Sequence, residues 1–172
     1  MASNNVRLER IGSILKLLVE EAITTLESKR LGIMLVEQIK KRTRLGYGVD
    51  DGGRQKKLPA LSDGYVGTRT RLKDNLDQFT TPKRSNLTAT GQLLNSVRSG
   101  RRGALVIEIA GGARNKGLDG RSSSLSNRTL AGYLEKKGRK FFGLTTAEEA
   151  GLVREIKKVI IKALKAKLNT NT

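Results

Sequence analysis

The chain has 172 residues, with 34 lysine and arginine residues against 16 acidic ones, a formal net charge of +18, and neither histidine nor cysteine. This length predicts one domain, or one domain with an arm. Without cysteine there is no disulfide framework and no zinc-thiolate site, and without histidine the commonest general acid–base group is missing. We therefore expect no enzyme active site, no metal site and no cofactor.

The positive charge is spread over the whole chain, so it attracts polyanions and binds nucleic acid non-specifically at low salt. Proteins that read nucleic acid usually place aromatic stacking platforms among their basic residues, and the three tyrosines and three phenylalanines form no such pattern. A basic surface that meets an acidic partner is the preferred interpretation. No signal peptide and no membrane-spanning run is recognised, so no membrane association is expected.

Residues 6–44 have a helical pattern of apolar positions. A first stripe is formed by Leu8, Ile11, Leu15, Leu18, Ala22 and Leu26. A second phase is formed by Leu31, Met34, Leu35 and Ile39. Gly32 lies between the two phases, so the pattern predicts two consecutive helices or one long helix bent near Gly32, and both alternatives stay open. Lys40, Lys41 and Arg42 suit the negative end of a helix dipole.

The region that follows is rich in glycine. Residues 46–57 offer almost nothing to bury, and their glycines match no phosphate-binding spacing, so they are predicted to form a mobile loop. A short helix is predicted to start after Ser62 and to run through Tyr65 to Leu76.

The clearest strand covers residues 104–110, where Leu105, Ile107 and Ile109 share one face. Residues 94–98 are the predicted partner, in a hairpin whose turn is formed by residues 99–103. Residues 111–126 are polar and rich in glycine and serine, which predicts a long exposed loop.

Two helices are predicted in the last third of the chain. Ser126 or Asn127 caps the first, which ends at Gly138. Thr145 and Glu148 form a capping box for the second, which runs to about Leu168. Its apolar stripe consists of Leu152, Ile156, Ile160, Leu164 and Leu168, and its lysines indicate a solvated face rather than a membrane surface. The fold class is therefore α+β, with a small antiparallel sheet packed against long N- and C-terminal helices and with long mobile loops.

Two blocks of sequence, read together, resemble a known family. Residues 86–97 read NLTATGQLLNSV, and residues 138–145 read GRKFFGLT ahead of the last helix. This order resembles the virion-morphogenesis proteins of tailed bacteriophages, in which an L-T-x-T-G-x-L-x-x-S block precedes a hairpin and an R-x-F-x-G-L-[ST] block precedes the last helix. The resemblance covers residues 31–168, and Lys140 stands where members often have proline.

The resemblance implies a structural protein of the phage particle, either a neck protein (head-to-tail connector) or a tail-completion protein. Residues 1–30 would be an N-terminal helical extension, and residues 31–172 the neck or tail-completion domain. Such proteins form homo-oligomeric rings, six- or twelve-fold, around the DNA channel. The implied partners are the portal or adaptor protein, the tail tube or tail terminator, and the genomic DNA. The implied location is the virion, after assembly in the host cytoplasm.

Candidate interface residues come from the two predicted mobile loops, the hairpin turn and the second block. They are Tyr47, Gly48, Arg54, Arg101, Arg102, Arg114, Lys116, Arg121, Phe141 and Phe142. For the two phenylalanines, one alternative is that they anchor the last helix to the sheet, and the other is that one of them packs against a neighbouring subunit.

Two further function classes compete with this interpretation. A basic nucleic-acid-binding protein is supported by the net charge alone, and would lose affinity steeply with salt. A metal-dependent nuclease would need clustered carboxylates, and the adjacent pair Asp50 and Asp51 has no third ligand in view. The metal-dependent nuclease is therefore the disfavoured alternative.

Overall fold

The computed structural model describes residues 25–102, 104–111, 113–114, 117–119, 121 and 123–169. At residues 25–26, 101–102, 104–105, 113–114, 123–124 and 167–168 it describes the backbone alone. The described residues form α-helices and small antiparallel sheets, which confirms the α+β class. The six described strands form three separate two-stranded sheets instead of one small sheet.

Helix α1 spans Thr25–Arg44 and continues through Gly32 without a break. A division into two helices at Gly32 is therefore wrong. Leu31, Leu35 and Ile39 of the second apolar phase are buried, as the helical spacing predicts, and Met34 is half-buried. The first apolar stripe up to Ala22, and most of the predicted N-terminal extension, lie outside the described residues.

Residues 46–57 form a hairpin, so the prediction that they form a loop without strands is wrong. Strand β1 (Tyr47–Val49) pairs with β2 (Gln55–Lys57) in antiparallel register. The prediction failed because β2 is exposed throughout and carries no apolar pattern. The hairpin is held by backbone hydrogen bonds to a distant segment, from Val49 N–H to the Lys140 carbonyl (2.9 Å) and from Thr146 N–H to the Gly53 carbonyl (2.8 Å).

Helix α2 (Asp63–Arg71) begins directly after Ser62 and is followed by a 3₁₀ turn at Lys73–Asn75, which confirms the predicted short helix. Later in the chain, Gln92–Asn95 form one helical turn, α3. Gly91 precedes this turn with a φ of 70°, a left-handed conformation that glycine adopts without a steric penalty. The backbone therefore turns sharply at Gly91, directly before α3.

Strand β3 (Val97–Arg102) pairs with β4 (Ala104–Ile109), and Val97 lies opposite Ile109. The strand predicted over residues 104–110 is confirmed. Its partner is displaced towards the C-terminus, because residues 92–95 are helical and residues 99–102, predicted as a turn, are paired strand residues.

The stretch from residue 111 to residue 126 is not wholly an exposed loop. Strand β5 (Ala113–Arg114) pairs with β6 (Ser123–Ser126), and several residues between them lie outside the described part of the chain. Helix α4 (Asn127–Lys136) follows, and the Ser126 hydroxyl accepts a hydrogen bond from the N–H of Thr129 (3.1 Å), as an N-cap should. Gly138, with a φ of 71°, lies just past the end of this helix as predicted.

Helix α5 (Thr146–Asn169) begins at the predicted capping box. The Glu148 N–H donates to the Thr145 hydroxyl (3.2 Å), and the Glu148 carboxylate accepts from the Thr145 N–H (2.7 Å). Leu152, Ile156 and Ile160 of its apolar stripe are half-buried. The lysines on its other face are exposed, as expected for Lys157, Lys158, Lys162 and Lys165.

The core lies where α1, the β3–β4 hairpin, α3, α4 and the segment before α5 meet. Its buried cluster consists of Val36, Leu93, Leu94, Val97, Ile109, Ala131 and Phe141. Burying one large apolar side chain stabilises a fold by about 1.5–3 kcal/mol, so this cluster is the main source of stability in the described part of the chain. Of the candidate residues, Phe141 belongs to this cluster and Phe142 packs against it.

Candidate interface site

A buried arginine links α1 to the segment that leads into α5. The Arg42 guanidinium forms an ion pair with Glu148 and donates to the carbonyls of Phe141 (2.7 Å) and Gly143 (2.9 Å). Burial lowers the pKa of Arg42, and the charge of Glu148 counteracts that shift. Arginine stays protonated at any ordinary pH, so the pair is ionic. Arg42 therefore does more than complement the helix dipole, because it holds two distant segments together.

The β1–β2 hairpin packs directly against the second block of the resemblance. Gly48 is buried there, and a Cβ at this position would overlap the carbonyl oxygen of Lys140. On the outer side, the Lys140 ammonium donates to Asp51 (2.9 Å), which raises the pKa of Lys140. The hairpin and the residues before α5 are thus one continuous surface.

Buried polar side chains hold the stretch that precedes the first block. Asn86 is fully buried, and its amide donates to the carbonyls of Arg44 (3.2 Å) and Phe79 (2.9 Å) while its Oδ1 accepts from the Thr80 hydroxyl (2.7 Å). Thr88 is also fully buried. These contacts fix the end of α1 against residues 79–80, which run beside it.

Arg69 of α2 is 1% exposed, although it begins the basic stretch of residues 69–73. Its guanidinium donates to the carbonyls of Arg84 (3.0 Å) and Thr81 (2.9 Å) and to the Thr80 hydroxyl (2.7 Å). Burial lowers the pKa of Arg69. Arg139 acts similarly through Ser85 (2.7 Å) and the Ala60 carbonyl. Both arginines are therefore structural, and they shape the segment 80–85.

A groove of about 740 Å³ lies between the C-terminal half of α1 and this segment. Its lining includes the apolar side chains of Met34, Leu45 and Phe79 and the cationic side chains of Lys41, Arg44 and Arg84. The Arg44 guanidinium lies over the Phe79 ring, 4.2 Å from its centre. Sequence reasoning missed this groove, because no local pattern places the Gln78–Phe79 pair beside α1. The signal that existed was an aromatic residue in a short polar stretch without a predicted element.

The structure brings together some of the sequence-predicted candidates. Phe141, 2% exposed, is part of the core, so the structure selects the anchor interpretation for it. Phe142 is half-buried against the same core, with its ring edge-on to Phe141 at 6.4 Å. Tyr47 is half-buried on β1, beside the buried Gly48. Only parts of this group are therefore open to a partner.

The remaining candidates belong to three hairpins, with Arg54 in the β1–β2 hairpin that also contains Tyr47. Arg54 is exposed and paired with Asp50 (2.9 Å), and Arg121 is exposed near Asp119 (3.9 Å). The backbone places Arg101 and Arg102 at the end of β3 and Arg114 on β5, and Lys116 lies outside the described residues. Of these cations, only Arg54 and Arg121 have side chains that the structure describes, and they lie in two different hairpins.

Asp50 and Asp51 each have a basic partner. Asp50 accepts from the backbone N–H of Arg54 (2.8 Å) and from its side chain, and these contacts hold the pKa of Asp50 below its usual value. Asp51 pairs with Lys140. Across the described part of the chain, no cluster of three or more acidic side chains could hold a metal ion. Within the same residues, no helix combines the length and apolarity needed to cross a membrane.

Three comparisons with known proteins were made. A scan of protein-family models, a search of curated proteins and a search of solved structures each returned no significant match to this chain.

Proposed function

We propose that this chain is a structural protein of a tailed phage particle, a neck or tail-completion protein that forms a ring at the head-to-tail junction around the DNA channel. It would join the portal side of the capsid to the tail. Its role would be assembly, without chemical catalysis, and its partners would be further copies of itself, the neighbouring ring or tail proteins, and the DNA that passes through.

One observation carries the proposal: the two sequence blocks that resemble the family are the two sides of one structural cluster at the end of α1. Asn86 at the start of the first block binds the Arg44 carbonyl, and Arg42 binds the carbonyls of Phe141 and Gly143 in the second. These contacts connect both blocks to the last turn of α1, so the residues that carry the resemblance lie where the segments before α3 and α5 meet that helix.

The exposed apolar residues are consistent with a ring. A ring built from head-to-tail contacts uses two different patches on every subunit. Large apolar side chains that are about half exposed lie on different helices, with Ile33 on α1, Tyr133 on α4 and both Val153 and Ile161 on α5. These residues supply candidate surfaces for contacts between neighbouring subunits.

The test is protein mass spectrometry on DNase-treated, gradient-purified particles from a lysate of the cells that encode the chain. A constant, small number of copies per particle, retained after a high-salt wash, is expected. A host DNA-binding protein added to the lysate serves as the control, because it should be washed away. Loss of the chain together with that control would contradict the proposal.

A basic nucleic-acid-binding protein is the second candidate, and the lysine face of α5 favours it. Lys157, Lys158, Lys162 and Lys165 are all exposed on this helix. If DNA binding is the main activity and neutralises six to ten phosphates, the affinity should fall by about 10³–10⁵ between 50 and 200 mM salt. A filter-binding titration over that salt range measures this slope. The ring proposal predicts weak binding without sequence preference.

A further inference from the structure

The groove beside the end of α1 has an apolar lining that is open to solvent. Leu45 is 55% exposed and Phe79 is 43% exposed, and Met34 of α1, which also lines the groove, is half-buried. The Phe79 ring is covered by Arg44 on one side, and only the exposed part of this residue is available to a ligand. Covering apolar surface gains about 25 cal/mol per Å², which favours an occupant that carries an apolar side chain.

The rim of the groove is cationic and lacks neutralising carboxylates. Across the part of the chain that the structure describes, none of Lys41, Arg44 and Arg84 forms an ion pair with a carboxylate. Glu37 is the one acidic residue among the lining side chains, and it pairs with Lys40 (3.5 Å). The groove therefore presents three cations whose charge an anionic partner would complement.

Two polar atoms beside the groove have no hydrogen-bond partner. Both Gln38 Oε1, an acceptor, and Arg44 Nε, a donor, are shielded from water and unbonded. A buried polar atom without a partner costs about 1–3 kcal/mol. Because neither atom reaches the surface of the groove, they contribute no contact to a ligand, and the choice of ligand depends on the apolar lining and the three cations.

We propose that this groove docks a short acidic peptide segment of a partner protein, with an apolar side chain against Leu45 and Phe79 and carboxylates facing Lys41, Arg44 and Arg84. Its size is within the range of about 300–1,000 Å³ in which compact ligands bind. A nucleic acid fits less well. It would use the cations but leave the apolar lining uncovered, and successive bases would find one ring, already stacked on Arg44. The inference does not rest on the proposed phage function.

The test measures fluorescence anisotropy of a labelled hexapeptide, Asp-Glu-Leu-Phe-Asp-Glu, titrated with the full chain near physiological salt. Two control peptides replace either the four acidic residues or the two apolar residues with serine, and both should bind at least about 10-fold more weakly. Arg84→Glu and Leu45→Ser should each weaken binding of the acidic peptide by about 10-fold or more. Circular dichroism checks that both variants are folded.

Lys162→Glu is the matched control, because it makes the same charge change at an exposed position on α5 outside the groove. It should weaken peptide binding less than about 2-fold, as expected for a distant charge screened by salt. Equal losses for Arg84→Glu and Lys162→Glu would mean that binding follows net charge, which would overturn the proposal. Absence of peptide binding would overturn it as well. So would tighter binding of a single-stranded oligonucleotide that Arg84→Glu and Leu45→Ser abolish, because the groove would then be a nucleic-acid site.

Discussion

Arg42 and Glu148 lie 106 residues apart and form an ion pair that connects the last turn of α1 to the first turn of α5. Their side chains are 4% and 14% exposed, so water screens the pair little. Glu148 also completes the capping box of α5, and Arg42 also holds two backbone carbonyls. One contact therefore fixes both the start of the last helix and its place against the first.

Replacing Arg42 should strongly destabilise the chain. In Arg42→Met the Glu148 carboxylate stays buried without its counter-charge, and breaking a buried pair in this way costs about 3–5 kcal/mol. The free energy of unfolding from urea titration measures the loss. Lys41→Met is the matched control, since Lys41 is exposed, and its effect should stay within about 0.5 kcal/mol. Similar losses in the two variants would show that the ion pair does not hold α5.

Arg69→Lys should destabilise the fold although it keeps the charge. The Arg69 guanidinium reaches two carbonyls and one hydroxyl with a planar fork, whereas a lysine ammonium cannot span all three. With an acceptor left unsatisfied, we expect a loss of about 1–3 kcal/mol in the free energy of unfolding. Arg71→Lys, exposed at the end of the same helix, should change little. Equal stability of Arg69→Lys and the unaltered chain would contradict a structural role for Arg69.

Gly48→Ala should lower the melting temperature, because the new Cβ would overlap the Lys140 carbonyl. Inserting a methyl group into a tightly packed site costs about 1–3 kcal/mol. The control is Gly64→Ala in α2, where a Cβ meets nothing within 4 Å. That variant should gain about 0.4–1 kcal/mol by reducing the entropy of the unfolded chain. A differential scanning calorimetry trace in which both variants melt alike would show that the hairpin is not packed against Lys140.

The free energy of unfolding should be independent of pH near neutrality and should fall at acidic and at alkaline pH. The chain has no histidine, so no side chain with an ordinary pKa titrates between about pH 5 and 8. The pKa of Asp50 is lowered chiefly by the Arg54 backbone N–H, and that of Glu155 chiefly by Lys158. Each contribution is present above the unfolded pKa, about 4, and is lost as pH falls through the lower folded value.

At alkaline pH the free energy of unfolding should change in the opposite direction, falling as the pH rises. Asp51 raises the pKa of Lys140, so this contribution is present below the unfolded value, about 10.4, and is lost as pH rises through the folded pKa. Urea midpoints measured from pH 3 to pH 11 test both limbs. Asp50→Asn should flatten part of the acid limb, and Asp51→Asn should flatten part of the alkaline limb. A loss of stability centred near pH 6.5 would contradict the assignment of the pH dependence to these carboxylates and to Lys140.

The elements with strong local signals could be predicted from the sequence alone. Thr145 and Glu148 form the predicted capping box, Ser126 caps α4, and Gly138 follows that helix in a left-handed conformation. Each of these signals involves residues no more than a few positions apart, and the backbone conformation they favour is the one that the structure adopts. The strand over residues 104–109 could also be predicted, because apolar residues at alternate positions, rich in β-branched side chains, are a local pattern.

The β1–β2 hairpin, the buried arginines and the groove were decided by tertiary structure alone. Gln55–Lys57 has no apolar pattern, and the hairpin depends on Lys140 and Thr146, about ninety residues later in the chain. Arg42 and Arg69 are indistinguishable in sequence from surface cations, and each is buried where several acceptors converge on it. The carbonyl acceptors of Arg42 are 99 and 101 residues later in the chain, and those of Arg69 are 12 and 15 residues later. The apolar pattern of a segment indicates which of its side chains can be buried. The partners of a buried charge, in contrast, are determined only when separate segments pack together.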